Sequence, residues 1–150
     1  MEKDELIYQF HDTGLLTTAM THSSYANEHR DQHIQNNERL EFLGDSILGL
    51  VSADYVFHRY PHVPEGQLTK LRAAVVCEQT LYEVAKELGL DHLLRLGRGE
   101  ENGGGRKRPS ILADSVEALI GAIYLDGGLE AARTFILSFL EAKIDLAEQG

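Results

Sequence analysis

Apolar residues recur at helical spacing along almost the whole chain. Leu40, Leu43, Ile47, Leu50 and Val51 fall on one side of a helix of roughly 20 residues, which must end before Pro61 because the residue ahead of a proline is driven out of helical geometry. Leu68, Leu71 and Val75 predict a second helix, and Leu81, Val84, Ala85 and Leu88 a third that stops at Gly89. Leu112, Val116, Leu119, Ile120 and Ile123 predict a fourth, running from a Ser110 cap to the Gly127–Gly128 pair. Leu129, Ala132, Ile136, Phe139, Leu140 and Ile144 mark a C-terminal helix. Shorter helices around Leu6–Phe10 and Leu15–Met20 precede a loop, "THSSYANEH", and "GRGEENGGGRKRP", Gly97 to Pro109, reads as a second loop. No segment alternates with the period of a half-buried strand, and no internal repeat is present. The pattern predicts an all-α fold.

Composition fits that picture. A chain of 150 residues suits one domain and buries roughly 70% of its unfolded surface. Hydrophobic residues make up 43% and charged residues 25%, as in ordinary globular proteins. The single cysteine, Cys77, has no internal disulfide partner, which favours a reducing, cytoplasmic setting. The N-terminus "MEKDELIYQF" has no apolar run of signal or membrane-span length. Net charge is −10, from 24 acids against 14 Lys and Arg, which by itself argues against a nucleic-acid partner. That objection weakens if some of the acids hold divalent cations.

The acids are not evenly spread. In "NERLEFLGDS", Glu38, Glu41 and Asp45 fall at i, i+3 and i+7, on one helical face. In "ILADSVEALIGAIYLDGG", Asp114 and Glu117 are i, i+3 and lie opposite the Leu112–Val116–Leu119–Ile123 stripe, with Gly121 on their own face leaving room beside them. Any one of these acids is as easily a solvated surface residue. Together they are harder to dismiss: the first set has no i, i+4 lysine, sits among apolar residues, and is matched by a second set on another long helix. Hard cations such as Mg²⁺ take several carboxylate oxygens, and two helices each offering acids on one face supply them. Phe42 lies well outside the Leu40–Leu43–Ile47 stripe, so it does not belong to the same core; beside such a site an exposed aromatic marks an interface.

The same residues carry a resemblance. "NNERLEFLGDSILGL" resembles the signature of the ribonuclease III family, and "THSSYANE", "EGQLTKLRAAVV", "LGLDHLLRLGRGEE" and "ILADSVEALIGAIYLDGG" resemble its further motifs in order, from about Leu15 to Leu140. The resemblance implies an all-helical, dimeric endonuclease domain that cuts double-stranded RNA with Mg²⁺ (Mn²⁺ substituting). The family's four catalytic, metal-holding carboxylates correspond to Glu41, Asp45, Asp114 and Glu117, while Glu38 and Glu65 match further acids near the site. Phosphodiester hydrolysis needs an activated water, a Lewis acid on the phosphoryl oxygens and stabilisation of the leaving 3′ oxygen, which two Mg²⁺ about 4 Å apart provide. The expected products carry 5′-phosphate and 3′-hydroxyl ends. An aromatic at the position of Phe42 plugs into the partner subunit in the family. The homodimer then carries two sites in one valley and leaves short 3′ overhangs.

Other signals are weaker. Arg106, Lys107 and Arg108 in "GGGRKRP" are candidate RNA phosphate contacts, against the plain alternative of a solvated turn. His29 and His33 have an i, i+4 spacing that suits zinc but lack a third ligand, and His22 reads as a hydrogen-bonded structural residue. Bacterial members of the family usually continue into a C-terminal double-stranded-RNA-binding domain. The chain ends at "DLAEQG", where a linker to it would begin, so residues 1–150 read as the catalytic domain alone, truncated from the longer form. Two rivals are a non-catalytic, RNA-binding member of the fold and a di-iron helical bundle. The first predicts a lost catalytic acid, and none is lost. The second predicts Glu-x-x-His pairs, which follow neither Glu41 nor Glu117.

Overall fold

The computed structural model describes residues 8–149. Nine α-helices are present among them: α1 (Thr13–Ala19), α2 (Ser23–Glu28), α3 (Glu38–Arg59), α4 (Glu65–Val75), α5 (Glu78–Glu87), α6 (Leu90–Leu93), α7 (Arg98–Asn102), α8 (Pro109–Gly127) and α9 (Leu129–Gln149). Short 3₁₀ turns occur at Arg30–Gln32 and Gly105–Lys107. The described residues contain no sheet, only an isolated bridge between Thr21 and Arg95, so the fold is all-α as the apolar spacing predicts.

The centre of the molecule is α8. Its buried residues, Ile111 to Ala113, Ser115, Val116 and Ala118 to Ile123, surround the helix axis, and a helix apolar all round belongs inside a protein. It packs most extensively against α3, then against α5, α9 and α1. Pro109 occupies its first turn, where the missing N–H costs nothing, and Gly128 at φ 90° ends it, its N–H donating to the Tyr124 carbonyl. Ser110, the expected cap, is instead inside the helix, and Arg108 holds the cap position.

Two glycines set the α3–α8 crossing. A Cβ on Gly44 would stand 1.7 Å from the Glu117 carbonyl oxygen, and one on Gly121 would stand 2.4 Å from that of Leu40. Gly121 therefore does not leave space beside acids, as the spacing suggested. It lets the two backbones touch.

Several further expectations are corrected. The buried side of α3 is Leu40, Gly44, Ile47, Leu48, Val51, Ser52 and Val56, while Leu50 points outward and is 57% exposed. The helix expected around Leu6–Phe10 lies partly outside the described residues, and Tyr8 to Phe10 are irregular. Both expected loops contain helices. In "THSSYANEH" α2 is fastened by the Gly97 N–H to Ser24 Oγ (2.8 Å) and the Arg98 N–H to Glu28 (2.7 Å). In the glycine-rich stretch α7 and the following 3₁₀ turn are pinned by Arg106, whose Nη1 donates to the carbonyls of Asp91 and Leu94, both at 2.8 Å.

Candidate metal centre

The first turn of α3 is placed by Asn37. Its side chain is 5% exposed and donates to the Ala19 carbonyl (3.0 Å), while its N–H donates to that of Thr21 (2.9 Å). The helix thus starts at a fixed point against the α1–α2 link, and Glu41 and Asp45, one turn apart, are carried on the side that meets α8. There the glycine crossing brings α3 within touching distance of Glu117 and Asp114, also about one turn apart.

Glu41, Asp114 and Glu117 each direct a carboxylate oxygen into one point, all within 4.8 Å of one another. They are half-buried. Asp45 is more exposed and reaches Glu117 by a hydrogen bond, and Glu41 does the same with Asp114. Two carboxylates can share a hydrogen bond only if one holds a proton. Burial, then the Asp45 hydrogen bond and the surrounding negative charges, push the Glu117 carboxyl up to about 8. Burial, then Asp114 and the charges of Glu38 and Asp45, push Glu41 up to about 7. Asp114 is raised by burial and by Glu78, opposed by its hydrogen bond from Glu41 and by His22. Among the described residues no Lys or Arg forms an ion pair with any of the four, so their charge is not compensated from within the fold.

Glu38 is exposed and acts on Glu41 through its charge. Glu65, at the start of α4, is exposed and lies outside the converging group. His22, expected as a structural histidine, and Glu78 both lie near enough for their charges to act on Asp114. His22 Nδ1 also accepts the Ser24 N–H at 3.1 Å, capping α2. Their signal in the sequence is faint: a histidine before a short helix and an acid at a helix start.

An all-oxygen, half-buried, uncompensated donor set fits a hard divalent cation such as Mg²⁺ or Mn²⁺. It would also suit acids that simply share protons.

The family model described as Ribonuclease-III-like matches residues 12–144. The chain belongs to the ribonuclease III family. It is 54% identical over 147 residues to "Ribonuclease 3" of Symbiobacterium thermophilum, covering 98% of this chain and 61% of that one. It is 52% identical over 143 residues to "Ribonuclease 3" of Bacillus licheniformis, covering 95% and 57%. The chain thus spans about three-fifths of the length of the curated relatives it matches. Among solved structures it resembles the nuclease domain of ribonuclease III from Campylobacter jejuni, with a TM-score of 0.86 and 44% identity over 94% of each chain. Dicer from Pichia stipitis is a more distant likeness, with a TM-score of 0.69 and 26% identity over 95% of this chain and 60% of that one.

Within the ribonuclease III signature, Phe42 is 78% exposed and lines a groove of about 830 Å³. Leu15, Ile34, Leu40, Leu43 and Leu125 supply its apolar lining. The three basic residues of the glycine-rich stretch divide. Arg106 is half-buried and committed to Glu101 and two carbonyls. Arg108 pairs with Glu100 and the Gly103 carbonyl. Lys107 is exposed, and its side chain makes no hydrogen bond or ion pair among the described residues. His29 stacks on Tyr25 at 4.1 Å and its Nδ1 lies 2.8 Å from the Tyr25 carbonyl, an intramolecular arrangement. No helix among the described residues is long and apolar enough to cross a membrane.

Proposed function

We propose that residues 1–150 form the catalytic domain of a cytoplasmic, Mg²⁺-dependent endoribonuclease that cleaves double-stranded RNA during RNA processing. Its products carry 5′-phosphate and 3′-hydroxyl ends with short 3′ overhangs. The observation that carries this reading is the convergence of Glu41, Asp114 and Glu117, with Asp45 behind Glu117, in a ribonuclease III signature from which no acid is missing. Mg²⁺, when bound, polarises the phosphoryl oxygens, activates water and stabilises the leaving 3′ oxygen. The chain's residues do the rest. Glu41, Asp114, Glu117 and Asp45 would hold the metal, which would compete with the protons on Glu41 and Glu117 for the same oxygens. Burial against α8 keeps the carboxylates at fixed separations before substrate arrives. Neutralising them also removes part of the negative field that a domain of net charge −10 presents to RNA.

The reading includes a homodimer. Phe42 is a knob lining the groove that would receive it, so knob and hole share one face, the arrangement a two-fold interface requires. Two sites related by that axis would each cut one strand. Of the three basic residues in the glycine-rich stretch, Lys107 has the side chain free to meet a phosphate, whereas Arg106 and Arg108 act first as struts for the stretch that carries it.

The test is cleavage of a long RNA duplex with Mg²⁺, with EDTA as the control, by wild type and Glu117→Gln. Wild type should cut, and the variant should lose on the order of a thousandfold or more in rate, equivalent to about 4 kcal/mol of transition-state stabilisation. A variant that remains folded and cuts at the wild-type rate with saturating Mg²⁺ would overturn the assignment.

A further inference from the structure

Asp126 closes the polar sequence of α8 and takes no part in the site. Its side chain is 4% exposed. The carboxylate accepts from the Tyr8 hydroxyl at 2.6 Å, the His11 N–H at 2.7 Å and the Asp12 N–H at 2.9 Å, and lies 3.2 Å from His11 Nδ1. All four contacts come from residues 8–12, which run without regular structure at the other end of the chain. Gly127 makes the approach possible, since a Cβ there would stand 2.5 Å from the Tyr8 hydroxyl oxygen. The hydrogen bond to Asp126, with burial, pushes the Tyr8 phenol up to about 12.

This strap leads directly into α1. Asp12, held by Asp126 through its N–H, caps α1 with its own side chain, accepting the Gly14 N–H at 2.9 Å. The seven-residue α1 is far too short to be stable alone. It supplies Leu15 and Thr18 to the groove beside Phe42, and Leu125, adjacent to Asp126, lines the same groove. One carboxylate therefore ties together two of the helices, α1 and α8, that line it.

We propose that Asp126 is a latch for subunit pairing: the strap of residues 8–12 docks on it and holds α1 in place as the wall of the groove that receives Phe42 of a second copy. This rests on the homodimer reading above and deepens it. The latch is a positioning element, remote from the carboxylate cluster, and it makes the pairing surface depend on a segment that contributes no contact of its own to the groove.

Asp126→Asn sets an amide NH₂ among N–H donors and should raise the dimer dissociation constant about tenfold, whereas Tyr8→Phe, which removes one hydrogen bond, should raise it about threefold. Sedimentation over a concentration series reads both, with Phe42→Ala as the control for the interface itself. Hydrogen exchange gives a second readout that needs no dimer. Amides of Thr13–Ala19 should exchange faster in both variants while those of α8 from Leu112 to Ile123 stay protected. Unchanged exchange in α1 overturns the latch whatever the oligomeric state. Faster exchange with an unchanged dimer constant, where Phe42→Ala does weaken the dimer, overturns the latch and leaves the homodimer standing. A wild type that is monomeric at every concentration overturns the homodimer and the latch's role with it.

Discussion

Helix α8 carries acids at two places, and the fold treats them in opposite ways. Near its start, Glu117 and Asp114 face Glu41 and Asp45 across the glycine crossing, and desolvation raises Glu117 and Glu41 far above the ordinary carboxylate range. At its end, Asp126 is also covered from solvent, yet its carboxyl is held well below that range by the Tyr8 hydroxyl and the N–H groups of His11 and Asp12. Removal from water is common to both. The supply of donors differs: Asp126 is given three, whereas the four acids of the crossing are given one another. A carboxylate covered and supplied with donors is a structural anchor. Carboxylates partly covered and left without donors form a set that could hold a cation from outside the chain.

The comparison breaks first at the glycine crossing. Gly44→Ala places a methyl group against the Glu117 carbonyl, and neither backbone can yield without separating α3 from α8. The cost should be about 3 kcal/mol or more, read from denaturant unfolding. Stabilisation by Mg²⁺ should vanish with it, because the acids no longer converge. A variant as stable as wild type, and equally responsive to Mg²⁺, would show that the crossing does not assemble the site.

A smaller effect separates the two places by pH. Glu41 and Glu117 hold protons in the folded state up to about 7 and about 8, whereas in the unfolded chain they release them near 4.5. Between these limits the folded, metal-free protein binds more protons than the unfolded one, so its stability falls as pH rises. The loss from about pH 5 to about pH 8 should be roughly 2 kcal/mol, reduced from the dry limit because both groups are partly solvated. Asp126 contributes the other way: its stabilisation is present above the ordinary carboxylate value and is lost only in stronger acid, outside this window. Thermal melts in EDTA across this range test the sign. With excess Mg²⁺ the slope should flatten or reverse, since metal and protons compete for the same oxygens. A metal-free protein that gains stability toward pH 8 would contradict the uncompensated state of the site.

The smallest effect is the sharpest in sign. Asp45→Asn removes one charge at nearly constant shape and offers Glu117 a donor. It should raise the melting temperature of the metal-free protein by a few degrees, equivalent to about 1 kcal/mol, and respond less to Mg²⁺ than wild type does. If the variant melts lower in EDTA and wild type does not respond to Mg²⁺, the acids are not a strained cage.

Much of this was legible in the residues, for a reason that can be stated helix by helix. The long helices bury whole faces, so their apolar spacing is periodic over several turns, and α3, α8 and α9 stand within a few residues of where that period puts them. The outward position of Phe42 follows from the same arithmetic. Leu50 does not, because the run Ile47 to Val51 is apolar on both sides of the helix and only packing shows that Leu48 is inside. The short helices α2 and α7 were illegible for a different reason. At six and five residues they cannot nucleate alone, and bonds from Ser24, Glu28 and Arg106 to distant backbone hold them. Arg106 shows the same limit for function: its charge is visible in the sequence, but its commitment to Glu101, Asp91 and Leu94 is not.

The sequence by itself determined which residues could act: the all-α class, the acids at helical spacing, the aromatic out of phase with the core, and the family signature. Those are local properties, fixed by the period of a helix and the chemistry of each side chain. The tertiary structure alone decided what each charge became. Glu41 and Glu117 keep their protons, and Asp126 loses its own, through burial and through partners in hydrogen bonds (Asp114, Asp45 and Tyr8) that lie from tens of residues to more than a hundred away along the chain. Desolvation and hydrogen-bond supply belong to the packed assembly of helices, and no single stretch of the chain contains them.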